Sequence, residues 1–166
     1  MYNTNTCSET HLTEERLALI KRKYPTLYAE YKVKRINEMS CYWKGKPHEP
    51  YTVPLLAMLL QENGALDPLV RGDYGYAIGI SQHHICNRVT FGKHYCNPYA
   101  KSQFEKEHPE FATEWKSQFW QFSDVIRGYI EKNMTVDSMI DAWNSKEYNR
   151  RWKVSRWEEF VRLSIK

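Results

Sequence analysis

Six apolar residues in a row, Leu55 to Leu60, run straight into Gln61, Glu62, Asn63 and Gly64. A run of that kind reads as a helix buried on nearly every face rather than as an amphipathic surface helix. Pro54 suits the first helical position, where its missing N–H would have had no partner, and Gly64 suits the left-handed residue that closes a helix. Glu62 then lies in the last turn. Removal from water and the negative end of the helix dipole both favour its neutral form, which makes it a candidate proton donor near neutral pH. The plainer reading of the same residues is an exposed helix end.

Around this helix the chain reads as mainly α, an α+β class with one small β element beside the central buried helix. Leu12 to Lys23 and Leu27 to Met39 each place apolar residues on one face, the second with Lys32, Lys34 and Arg35 outward. Lys44 to Pro50 form a loop into the central helix. From Asp73 to Gln82, Tyr74, Tyr76, Ile78 and Ile80 alternate with small or polar residues and predict a strand, with Gly75 and Gly79 free to bend. His83 to Val89 predicts a short helix, followed by a loop at Gly92 and a new start at Pro98. Glu110 to Lys132 predicts one long helix, and Thr135 caps a shorter one ending at Trp143. Ser155 and Glu158 predict a capping box for the last helix. The length of 166 residues fits one domain, with 1–50 as an N-terminal helical part and 51–166 as the core.

A net charge of +4 favours anionic partners without choosing among nucleic acid, acidic lipid and cell-wall polymer. Twelve Tyr and six Trp in a hydrophilic chain suit a groove on which sugar rings or bases stack. The sequence shows no long apolar span and no signal-peptide pattern, so membrane insertion is not expected. Cys7, Cys41, Cys86 and Cys96 leave the redox compartment open; a Cys86–Cys96 loop and free buried thiols are both consistent with their spacing.

Gln61-Glu62-Asn63-Gly64, Gly72-Asp73, Gly75 and Gly79-Ile80-Ser81-Gln82, followed downstream by Asp141-Ala142-Trp143-Asn144-Ser145 and Tyr148, stand in an order that resembles the goose-type lysozyme and soluble lytic transglycosylase branch of the lysozyme superfamily. The resemblance covers about Pro54 to Tyr148. It implies a lysozyme-like fold and cleavage of the β-1,4 bond between N-acetylmuramic acid and N-acetylglucosamine in peptidoglycan, with Glu62 as general acid. Asp73 takes the place of a second carboxylate that would orient water. Tyr76, Ile80, Ser81, Gln82, Trp143, Asn144 and Tyr148 fall on the substrate-binding positions. If Glu62 instead acts next as a base while the muramyl 6-hydroxyl closes a 1,6-anhydro ring, the enzyme is a lytic transglycosylase and needs no second carboxylate. Gly72-Asp73 favours hydrolysis.

The chain departs from the family at His84, where goose-type lysozymes have another Asp, at Trp143, where the family has Tyr, and at Ser145-Lys146, where the motif's glycine is missing. The resemblance implies no cofactor or metal, a monomer that acts on glycan strands rather than nucleic acid, and, for a compact chain without a signal peptide, a phage-encoded or virion-associated lysin.

Two further patterns compete with this reading. His83, His84, Cys86, His94 and Cys96 are zinc-ligand types, although their spacing matches no common closed site. Arg150, Arg151, Lys153 and Arg156 interleave with Trp152 and Trp157 as in nucleic-acid-binding segments, although basic residues before a helix are more often solvated surface. A cell-wall-binding protein that keeps the fold without turnover is a third class.

Overall fold

The structure, a computed structural model, describes Cys7 and residues 11–86, 91, 95–143 and 150–165. In chain order these form α1 (Glu14–Lys23), α2 (Glu30–Trp43), α3 (Thr52–Glu62), the strands β1 (Arg71–Gly72), β2 (Ala77–Ile78) and β3 (His83–His84), then α4 (Ala100–Glu107), α5 (Pro109–Thr113), α6 (Trp115–Glu131), α7 (Val136–Trp143), α8 (Arg150–Ser155) and α9 (Glu158–Ser164). The fold is mainly helical with one small antiparallel sheet, as the sequence leads one to expect. The chain divides into two compact units, Met1–Gln61 with Ile126–Lys166, and Glu62–Val125.

In the first unit, Thr13 caps α1 by accepting the Arg16 N–H at 3.1 Å, and acidic residues open the helix while basic ones close it. α3 is buried as its composition demands, with Leu55 to Leu60 each no more than 1 % exposed. It begins at Thr52, so Pro54 is its third residue rather than its first. The proline is still accommodated, because none of the first four helical N–H groups has an intrahelical partner. Lys32 is not outward: it is buried, with its ammonium 5.8 Å from the centre of the Phe160 ring, and burial lowers its pKa. The Ser155 capping box does not form. The Ser155 hydroxyl donates to the Trp152 carbonyl at 2.6 Å and so closes α8, and α9 starts after Trp157 without a side-chain cap. Cys7 is joined to Cys41 of α2 by a disulfide.

The second unit is built around an aromatic cluster of Ile78, Ile85, Tyr95, Phe104, Phe111 and Phe91. Phe91 lies 5.0 Å from Phe104 and 5.3 Å from Phe111, centre to centre and edge to face. The long helix expected from Glu110 is broken: α5 ends at Thr113, Glu114 is extended, and α6 begins at Trp115. The break lets Gln118 of α6 donate to the Phe111 carbonyl at 2.8 Å, satisfying an acceptor that the end of α5 leaves open.

The expected strand from Asp73 to Gln82 is also broken. Only Ala77–Ile78 is extended there; left-handed residues at Asp73, Tyr74, Gly75, Gly79 and Gln82 turn the chain on both sides of it. His83 and His84, expected in a helix, form β3 instead, because their backbone pairs with β2.

Candidate functional site

Three strands of two residues each place one constellation. Gly72 of β1 pairs with Ala77 of β2, and Ala77 pairs with His84 of β3, so these three make one row across the sheet. Paired residues share a face, and this row carries only a hydrogen, a methyl group and the imidazole. Asp73 leaves β1 at the same end. His84 Nε2 thereby comes within 2.7 Å of Asp73 Oδ2 although the residues are 11 apart in sequence. Nδ1 of the same ring accepts the Cys86 backbone N–H at 3.3 Å, which in the neutral ring puts the single proton on Nε2, aimed at the carboxylate.

The backbone that presents Asp73 is unusual. Asp73, Tyr74 and Gly75 have successive φ values of 48°, 58° and 93°. Left-handed conformation costs a residue other than glycine roughly 1–2 kcal/mol, and such outliers persist where the surroundings enforce them. Tyr76 follows, its ring stacked on His84 at 5.8 Å with 9° between the planes and its hydroxyl donating to the Asn97 carbonyl at 2.9 Å. The Lys101 ammonium stands 5.5 Å from the centre of the Tyr76 ring.

Asp73, Tyr76 and His84, with the Cys86–Cys96 disulfide, Asn97 and Pro98, line a recess of about 430 Å³. That volume is within the range of small-molecule sites, and the Tyr76 ring and the Asp73 carboxylate both line it. The carboxylate and imidazole are 56 % and 43 % exposed, so solvent screening leaves the ion pair little weight in stability. Its consequence is geometric.

The other expected site residues are placed differently. Ile80 and Ser81 are buried inside the second unit. The Gln82 amide folds back to donate to the carbonyls of Gly79 (2.9 Å) and Val70 (3.3 Å) and so ties the meander together. Glu62 ends α3, partly buried, as the first residue of the second unit. The turn after it is not closed by a left-handed Gly64. Asn63 makes the exit: its carbonyl accepts the Leu66 N–H, its side-chain oxygen accepts from Ala65 N, and its amide donates to the carbonyls of Asp67 and Gly79 at 2.9 and 3.0 Å. Trp143 ends α7 in the first unit, partly buried next to the buried Met139 and Ile140. Asn144 and Tyr148 lie outside the described residues, as does His94 of the zinc pattern. Cys86 and Cys96 are bonded to each other, so neither supplies a thiolate. His83 is buried edge-on against Phe91 (5.4 Å) and Phe111 (5.8 Å). That burial, helped by the neighbouring His84, pushes its pKa down to about 4.

Compared with known proteins, the chain matches no family model, no curated protein and no solved structure. The partnership of Asp73 with His84 escapes sequence reasoning because it depends on strand register. A helix assigned to residues 83–89 hid the pairing. Two adjacent histidines carry no alternation of their own, and that His83 faces the apolar cluster while His84 faces the recess follows only from the pairing of β3 with β2.

Proposed function

We propose that this protein is a peptidoglycan-degrading glycosidase that cleaves the β-1,4 bond between N-acetylmuramic acid and N-acetylglucosamine, with Glu62 as general acid. One observation carries the reading: Glu62 ends a helix whose apolar run is buried, and the compact unit that Glu62 opens carries a second carboxylate, Asp73, at a recess of about 430 Å³ that Glu62 itself does not line. The glycosidic oxygen is a poor leaving group until protonated, so Glu62 gives it a proton as the C–O bond breaks. Asp73 faces the other requirement, an acceptor for the proton of the attacking water.

Both disulfides support a place of action outside a reducing cytoplasm, which accords with a lysin that meets its substrate at the bacterial wall. No described helix is long and apolar enough to cross a membrane.

The test is Glu62→Gln, which removes the proton and keeps the shape. The variant is expected to retain its circular-dichroism spectrum and melting temperature while clearing peptidoglycan suspensions at least about 100-fold more slowly. Clearing at the wild-type rate by the folded variant would overturn the assignment.

A further inference from the structure

We propose that His84 is the positioning residue for Asp73: the imidazole holds the carboxylate that, in hydrolysis, orients the attacking water and takes its proton. The inference rests on the peptidoglycan-cleaving reading and deepens it.

The geometry runs in one chain of contacts. The Cys86 N–H holds Nδ1, the ring lies flat on Tyr76, and the Tyr76 hydroxyl is fixed by the Asn97 carbonyl. A ring held on one nitrogen and one face has a defined direction for its other nitrogen. That nitrogen donates to Asp73 Oδ2 at 2.7 Å, which leaves Oδ1 to accept a hydrogen bond from water. Asp73 needs such a partner more than most carboxylates do. It sits on consecutive left-handed residues and is more than half exposed, so its backbone and the solvent alone would let the side chain rotate.

In the step itself, Asp73 takes one proton from water as the new C–O bond forms at the anomeric carbon. Glu62 transfers its proton to the departing glycosidic oxygen as the old C–O bond breaks. One water is consumed, two hydroxyl-bearing ends result, and exchange with solvent returns each carboxyl to its starting form. His84 makes no bond to substrate. Its contribution is to keep Oδ1 aligned.

Three substitutions separate positioning from packing. His84→Gln keeps a side-chain N–H donor, His84→Phe keeps the ring that stacks on Tyr76, and His84→Ala keeps neither. For peptidoglycan digested in ¹⁸O water, Phe and Ala are expected to lower kcat roughly 100-fold, the scale of a misplacement of about 1 Å, with KM within about twofold. Gln should restore most of kcat. The wild-type product should carry ¹⁸O at new reducing ends. Unchanged kcat in His84→Phe would overturn the positioning role. Products ending in 1,6-anhydro rings without ¹⁸O would overturn it too, while leaving glycan cleavage by Glu62 standing. Folded wild-type protein that releases no fragments at all would remove both readings together.

Discussion

His83 and His84 are neighbours in sequence with opposite environments, because successive strand residues point to opposite faces. His84 reaches the recess, whereas His83 is 3 % exposed among aromatic rings and is held neutral, its pKa depressed to about 4 from an ordinary 6.5. A depressed histidine stabilises the fold at pH values above its unfolded pKa. That contribution is lost as the pH falls from about 6.5 through about 4, since the unfolded chain then binds a proton that the folded chain refuses. The shift amounts to about 3 kcal/mol. Urea unfolding at pH 7 and pH 4 should therefore show the wild type losing about 3 kcal/mol more than His83→Leu, which has no proton to take up. Equal losses in the two proteins would mean that the buried ring is not held neutral.

At the level of elements, the meander shows what was legible in the sequence and what was not. The apolar run of α3, the capping by Thr135 and the amphipathic helices could be read because each depends on residues within one or two turns. Thr135 does cap α7, its hydroxyl oxygen accepting the Ser138 N–H at 3.1 Å. The alternation from Tyr74 to Ile80 was equally visible but misleading. Its glycines are required turns, and the side chains that enforce them come from residues far away in the sequence. Gly79 has a φ of +73°, and a Cβ there would lie 1.9 Å from Gln118 Oε1. That oxygen accepts the Ile80 N–H at 2.9 Å while the Gln118 amide donates to the Pro68 and Phe111 carbonyls. Gly45 provides the control, because its φ is also +73° but nothing stands within 4 Å of its missing Cβ. Gly45→Ala should cost only the backbone preference, about 1 kcal/mol. Gly79→Ala should cost at least about 2 kcal/mol more, since it displaces Gln118 and leaves buried groups without hydrogen bonds. Denaturant midpoints of the two variants, compared at equal slope, measure the difference. Similar costs at the two positions would show that the clamp carries no weight.

Across the whole molecule, each compact unit holds one disulfide, Cys7–Cys41 in the first and Cys86–Cys96 in the second. The division itself had no signal in the sequence. No Gly/Pro-rich or polar linker marks it, since one boundary falls at the end of α3 and the other inside α6. The two bonds close sequence separations of 34 and 10 residues. By chain entropy alone they stabilise by about 4 and about 3 kcal/mol respectively. At this chain length, 1 kcal/mol moves Tm by about 2–4 °C, so Cys7→Ser/Cys41→Ser should melt roughly 8–16 °C lower and Cys86→Ser/Cys96→Ser somewhat less than that. Stability and activity should rank the two pairs in opposite order. Cys86 and Cys96 line the recess and the Cys86 N–H fixes the His84 ring, whereas Cys7 and Cys41 do not line it. Under the proposed glycan cleavage, and assayed well below both melting temperatures, the Cys86/Cys96 variant should therefore lose kcat and the Cys7/Cys41 variant should retain it. Full kcat in a folded Cys86→Ser/Cys96→Ser protein would show that the smaller loop serves stability alone, and that His84 is held without it.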